Sequence, residues 1–311
     1  MWSNILLKVG IIGNGYHSKR IQKILKKKKI NHFIYKPSNK SYCNEKEFEL
    51  LKNNKVIFIL SPNKTHFDYI RKLSKDRYIF CEKPPVNSLK ELNKLKKINK
   101  EKIYFNYNAR FSRLSNLIKI RHKFKLGKLI HASFVIGHGL ALKKEYINSW
   151  RANKRLCPKG VFEVVSIHII DLINYHFNIK KIETPTLINL SKKGNSYDTS
   201  HIKIILDNKA IIDVFSSYNT PFIKKNILVF ENGTIEQNEK NITINGPAIN
   251  LDKKQFFIKP KLIKKFVIND ENDYLNSLKD SVNYFLKIVK SNKNFKKKMT
   301  DCSLTSNHLL F

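Results

Sequence analysis

Lys8-Val9-Gly10-Ile11-Ile12-Gly13-Asn14-Gly15-Tyr16-His17-Ser18 is the stretch that decides the fold. Val9 to Ile12 is continuously apolar, as strands buried on both faces of a parallel sheet are. A glycine turn follows, and Ser18 to Lys29 reads as a helix with Ile21, Ile24 and Leu25 on one face. Strand, glycine turn and helix in that order form a phosphate cradle. Gly13 permits the tight turn, and Gly15 lets backbone N–H groups approach a pyrophosphate. The helix N-terminus adds unpaired N–H groups and a positive partial charge. The motif is GxGxxS, and Ser18 is small enough to let helix and strand pack closely. Gly13, Asn14, Gly15, Tyr16 and His17 are the first candidate cofactor contacts.

Working outward, short apolar runs alternate with Lys-rich amphipathic stretches. His32–Tyr35, Val56–Leu60, Tyr78–Cys81 and Ile103–Tyr107 read as strands, with helices over His66–Leu73 and Leu89–Ile98. Such alternation means a parallel sheet wrapped by helices. The end of the second strand selects the cofactor. An acid about 20 residues past the glycines would hold a ribose 2′-hydroxyl. Here Tyr35-Lys36-Pro37-Ser38-Asn39 contains none. Lys36 and Ser38 suit a 2′-phosphate, so NADP(H) is favoured over NAD(H). The alternative is that Lys36 is one more solvated lysine.

Ser61-Pro62-Asn63-Lys64-Thr65-His66 and Cys81-Glu82-Lys83-Pro84-Pro85 close the next two strands. In open α/β sheets such strand ends face the ligand crevice. Ser61, Pro62, Asn63, His66 and Glu82 are therefore further cofactor candidates. Lys83 sits between an acid and a proline that restricts its backbone. Its ammonium could bond a substrate hydroxyl and join in proton transfer.

After residue 110 the pattern changes. A helix near Leu114–Arg121, a long strand over Leu129–Ile136 and a helix over Phe162–Phe177 precede a run of strands. Those strands are Ile202–Leu206, Ala210–Ser216, Ile227–Phe230, Thr234–Glu236 and Ile242–Ile244, with hairpin turns at Asp207-Asn208 and Asn232-Gly233. A helix over Tyr274–Val289 ends the pattern. The expected fold is α/β: a Rossmann parallel sheet over residues 1–110, then an α+β domain over 111–311 with an open, mostly antiparallel sheet.

Several pieces resemble, in family order, the glucose–fructose oxidoreductase / inositol dehydrogenase / rhizopine catabolism (Gfo/Idh/MocA) family. They are GIIGNGYHSKR at 10–20, SPNKTHFDYI at 61–70, CEKPP at 81–85, FNYNARFS at 105–112, SWR at 149–151 and KGVFEVVSIHIIDL at 159–172. The resemblance implies a nicotinamide-dependent enzyme that oxidises a sugar hydroxyl or reduces a ketone. It makes Lys83 the catalytic lysine and matches His168 and Asp171 to an HxxD motif, adding both to the catalytic candidates. Helical spacing puts those two on one face. It also implies that Trp150 and Arg151 touch cofactor or substrate. Asn108, Arg110, Arg151 and His168 become substrate candidates beside Lys83, with Tyr107 a lesser one. Many members carry an acid four positions before the histidine, where this chain has Val164, with Glu163 one residue earlier. The implied partners are a sugar or nucleotide sugar and further copies of the chain, joined through the C-terminal sheet. Within the family, dinucleotide-sensing regulators without turnover are the alternative.

Composition bounds the rest. The 311 residues, 41% hydrophobic, exclude global disorder. Lys+Arg number 60 against 24 Asp+Glu, a net +36, but only eight of the 60 are arginine. A Lys, Asn and Ile excess is the imprint of an AT-rich genome, whereas nucleic-acid readers favour arginine's planar fork. No specific nucleic acid is expected. Nucleic-acid binding through Lys26–Lys29 and Lys296–Lys298 is a third reading, against the plainer one that these are solvated helix ends and a loose tail. Cys43, Cys81, Cys157 and Cys302 form no CxxC or zinc pattern, so no metal is expected. Neither a membrane span nor a signal peptide is evident, which points to the cytoplasm.

Overall fold

The computed structural model describes residues 7–36, 49, 51, 53–246 and 251–311. They form two compact units. The first holds the chain up to Asn108 and again Leu278–Leu309, and the second holds Ala109–Ser277. The sequence division instead leaves everything after residue 110 in one domain.

The first unit is built on a five-stranded parallel sheet. Its strands are β1 (Val9–Ile12), β2 (His32–Tyr35), β3 (Val56–Ile59), β4 (Tyr78–Glu82) and β5 (Ile103–Asn106). Their order is β2-β1-β3-β4-β5, every pair parallel. All four residues of β1, and all four of β3, are buried, which is why both read as unbroken apolar runs. The order reverses between β1 and β3, the switch point where sheets of this kind bind ligands. Helices α1 (Tyr16–Lys27), α2 (His66–Leu73) and α3 (Leu89–Lys96) connect the strands. Ser88 caps α3 by accepting from the Glu91 N–H at 3.2 Å, and the Glu91 carboxylate accepts from the Asn87 N–H at 2.9 Å.

The returning segment completes this unit. Phe285 sets its ring edge-on against Phe58 and Phe80 at 5.2 and 5.3 Å. Phe295 stacks on Phe285 at 5.6 Å, and the sheet's own Phe58–Phe80 stack lies at 4.6 Å. Aromatic pairs at these separations contribute beyond the area they bury. The side chain of Asn307 donates to the Val86 carbonyl and accepts from the Val86 N–H at 3.1 and 2.9 Å, three residues past Lys83.

The second unit opens with α4 (Arg113–Lys119) and carries a nine-stranded sheet. Its strands are β6 (Leu129–Gly137), β7 (Ile179–Ile182), β8 (Thr186–Ile188), β9 (Thr199–Leu206), β10 (Ile211–Ser217), β11 (Ile223–Phe230), β12 (Gly233–Gln237), β13 (Asn241–Asn245) and β14 (Leu262–Val267). The order is β14-β13-β12-β11-β6-β10-β9-β7, with β8 on β9; β6 and β10 run parallel and the other pairs antiparallel. The expected parallel and mostly antiparallel sheets are both present. A π-turn over Phe162–Ser166 leads into α5 (Ile167–His176). The last helices are α6 (Asp270–Lys290), whose residues from Leu278 belong to the first unit, and α7 (Lys297–His308). The segment after Lys296, expected to be a loose tail, is this helix, with Met299, Cys302, Ser303, Leu304 and Ser306 buried.

Among the described residues no helix is long and apolar enough to cross a membrane, and no His/Cys/Asp/Glu cluster could hold a metal.

Candidate functional site

The glycine turn leaves β1 at the switch point. Gly13 has φ +101°, and a Cβ there would stand 2.6 Å from the Leu60 carbonyl oxygen, on the segment leaving β3. The fold itself therefore demands this glycine. Ser18, at the third-glycine position, donates to the Gly13 carbonyl at 2.8 Å. Gly15 is different: a Cβ there would meet no protein atom within 4 Å. It is exposed and N-caps α1 with no side-chain hydrogen bond, and the first turn carries no acid. The chain's own packing gives no reason for glycine there, whereas a pyrophosphate approaching the backbone would. Asn14 accepts from Gln22 at 3.0 Å, while Tyr16 is 88% exposed with Lys19 over its ring. Lys36 is exposed at the end of β2. Ser38 lies outside the described residues.

At the end of β3, Ser61 is buried, Asn63 half-buried and Pro62 exposed. Thr65 donates to the Pro62 carbonyl at 2.8 Å, so the Ser61 hydroxyl donates to Thr65 at 2.6 Å. His66 is fully buried, its Nδ1 2.8 Å from the Pro84 carbonyl and its Nε2 2.9 Å from that of Ser61. It clamps the two loops together, so a cofactor-contacting side chain is not what the structure gives it. Burial pushes the pKa of His66 down; the two carbonyls, which only a doubly protonated ring can serve together, offset this in part.

Lys83 follows β4, half-buried, with a cis peptide to Pro84. Beside it, Glu82 Oε1 accepts from Asn106 Nδ2 at 2.6 Å and meets His17 Nε2 at 2.7 Å. Burial alone would raise the Glu82 carboxyl. The charge and hydrogen bond of His17, the Asn106 amide and the Lys83 ammonium outweigh it and hold the group at about 2. Glu82 thus stays ionised and ties the first turn of α1 to the lysine strand.

In the second unit, Arg110 and Asp171 form a two-pronged ion pair. Arg110 Nε donates to Oδ2 at 2.8 Å and Nη2 to Oδ1 at 2.6 Å, with side chains 1% and 0% exposed. Arg110 also lies over the Tyr175 ring at 5.2 Å. Neither side chain reaches solvent. The catalytic reading of Asp171 and the substrate reading of Arg110 give way to a buried pair that fixes α5. His168, on the same helix, is half-buried, as is Val164, while Glu163 is buried. Asn108 is buried just past β5. Arg151 stacks on the half-exposed Trp150 ring at 4.4 Å, and its Nε is buried without an acceptor. Nearby, burial, Asp198 and Cys157 push the Tyr146 hydroxyl up to about 12 against the pull of Arg151. The Tyr146 hydroxyl is likewise buried without a hydrogen-bond partner, and the buried Tyr218 hydroxyl faces Arg151.

Residues 7–104 match the family profile described as oxidoreductase family, NAD-binding Rossmann fold, that of the Gfo/Idh/MocA proteins. The first unit is a Gfo/Idh/MocA Rossmann domain. No curated protein matches the chain in sequence. Solved structures match over nearly its whole length. A levoglucosan dehydrogenase, in complex with NADH and levoglucosan, gives a TM-score of 0.78 at 15% identity, covering 98% of this chain and 96% of its own. A myo-inositol dehydrogenase from Corynebacterium glutamicum ATCC 13032 gives 0.73 at 15%, covering 98% and 94%. GenD2 from gentamicin A biosynthesis, in complex with NAD, gives 0.75 at 13%, covering 98% and 92%. At these identities the likeness is one of fold.

The Gfo/Idh/MocA domain also holds polar residues that sequence reasoning passed over. Asn106 lies in a quoted motif but reads as an ordinary strand residue. Ser281, which donates to the Asn106 side-chain amide oxygen at 2.6 Å, is 175 positions away, and no local pattern links them.

Proposed function

We propose that the chain is a nicotinamide-dependent oxidoreductase that passes a hydride between its cofactor and a carbinol or ketone carbon of a sugar or nucleotide sugar. The observation that carries this is Gly15, an exposed glycine at an uncapped helix N-terminus that the chain's own packing does not require. The backbone around Gly13, Asn14 and Gly15 would hold the pyrophosphate, flanked by Tyr16, His17, Pro62 and Asn63. Bound there, the nicotinamide supplies the carbon that takes up or returns the hydride. The Lys83 ammonium binds and polarises the reacting oxygen. His168 takes the hydroxyl proton on oxidation and returns it on reduction, a task suited to imidazole. Arg151, with a buried N–H lacking an acceptor, takes a phosphate or carboxylate oxygen, and Trp150 packs on a flat ring. Asn108 adds a polar contact to the substrate. The strand-end Lys36, with no acid after it, favours the 2′-phosphorylated cofactor, and Ser38 is its companion.

We assign the open face of the second sheet to contact between copies of the chain. Ile211 and Ile227 are exposed there, with Val135, Phe215 and Val229 half-buried. Buried free thiols at Cys81, Cys157 and Cys302 suit the reducing cytoplasm.

Fluorescence titration with NADH and NADPH tests the cofactor, and a nucleotide-sugar screen read at the nicotinamide absorbance band tests the substrate. Lys83→Ala should abolish turnover and leave dinucleotide affinity within about twofold, since the pyrophosphate is held elsewhere. Absence of binding by either dinucleotide overturns both the enzyme and the sensor readings. Binding without turnover throughout the screen supports the sensor.

A further inference from the structure

We infer that Ser281, on α6, is a positioning residue for Glu82, acting through the side-chain amide of Asn106. The inference builds on the reading of the first unit as a dinucleotide site that carries Lys83.

Its basis is the direction of a buried hydrogen-bond chain. The Ser281 hydroxyl has a single hydrogen and gives it to Asn106 Oδ1 at 2.6 Å. The contact between Tyr104 Oη and Ser281 Oγ, at 2.7 Å, must therefore be a bond that the tyrosine donates. Asn106 Nδ2 then donates to Glu82 Oε1 at 2.6 Å, where His17 also arrives at 2.7 Å. The sequence of donations runs from Tyr104 to Ser281 to Asn106 to Glu82. Tyr104, Asn106 and Ser281 are 2%, 1% and 0% exposed, so water does not compete for these bonds.

An asparagine amide is nearly symmetric in shape, and what distinguishes its two ends is who donates to whom. Ser281 pins the oxygen end. Glu82 holds the other end, so the amide does not turn over when the hydroxyl is lost; its oxygen is instead left buried and unpaired, and the amide shifts off its short bond to the carboxylate to relieve that. Glu82 would keep His17 and Lys83 nearby, with His66 and Cys81 also within its field. Loss of the amide bond makes the carboxylate easier to protonate and loosens its hold on His17, in the first turn of α1.

Two substitutions separate positioning from ordinary stability. Ser281→Ala and Tyr104→Phe each delete one bond of the same chain, and thermal unfolding reads the loss in both. Only Ser281→Ala frees the amide. The Glu82 side-chain carboxyl carbon, labelled with ¹³C and assigned with Glu82→Gln, is followed from pH 7 to pH 4 without cofactor. Wild type and Tyr104→Phe should stay ionised across that range, whereas Ser281→Ala should begin to protonate at its acid end. NADH affinity should fall on the order of tenfold in Ser281→Ala alone, the loss expected for one hydrogen bond to a charged group. Titration in Ser281→Ala, beside a wild type that binds no dinucleotide, upholds the positioning role and rejects the cofactor reading. An unchanged Glu82 signal in Ser281→Ala, or an equal change in Tyr104→Phe, overturns the inference.

Discussion

At Gly13 a Cβ would collide with the Leu60 carbonyl oxygen, and the backbone already occupies φ +101°. At Gly15 a Cβ would touch nothing. Gly13→Ala should therefore cost at least about 2 kcal/mol of stability, from left-handed strain and the clash together. Gly15→Ala should leave stability within about 0.5 kcal/mol of wild type yet weaken dinucleotide binding. Urea unfolding and dinucleotide titration of the two variants check this contrast. The motif separates their roles, a tight turn at Gly13 and a pyrophosphate approach at Gly15, but the sequence does not show the atom that enforces the first. The distinction lies in what β3 brings next to Gly13, and that is fixed by strand order. His66 was hidden for a similar reason. Its motif marks a strand end, but only the folded chain sets the Pro84 and Ser61 carbonyls on its two nitrogens.

Helix α5 shows how an element redistributes roles. His168 and Asp171 share a face by count, yet Asp171 is taken up by Arg110, 61 positions away. Asp171→Ala leaves a buried guanidinium without its main partner and should destabilise by about 3–5 kcal/mol, measured by denaturant unfolding. The π-turn ahead of α5 changes another count. Four residues back from His168 is Val164, but an i→i+5 turn needs five residues to come round, and five back is Glu163. The Glu163 carboxylate partly offsets the lowering that burial imposes on Lys159. Single-sequence spacing assumes a regular helix and could not register that extra residue. Buried strands were legible because every residue, or every second one, is apolar. β14 was not: its lysines and exposed Leu262, Ile263 and Val267 carry no inward face, and pairing with β13 alone makes it a strand. Helix α7, rich in Ser, Thr and Lys, was equally silent.

Across the molecule, acid should act in two stages. His66 and Glu82 both bind protons more weakly folded than unfolded. Stability present at neutral pH is therefore lost as pH falls, first below 6.5 as the unfolded histidine protonates, then from 4.5 toward about 2 for the carboxyl. Unfolding temperatures at pH 7, 5 and 3 should fall stepwise, and Glu82→Gln should flatten the lower step. No flattening would mean that other carboxyls dominate. The composition made the two-domain size and the positive charge plain, but not the return of the chain to the first unit at Leu278. That return depends on Phe285, Phe295 and Asn307, which in the sequence are scattered residues of two lysine-rich helices and the link between them. It also sets an order of birth. As the ribosome extends the polypeptide, the cofactor domain emerges first but must wait, its aromatic core open, until the last helices are translated. The nascent second unit is complete sooner, so the stretch made before it, up to Asn108, matures after it.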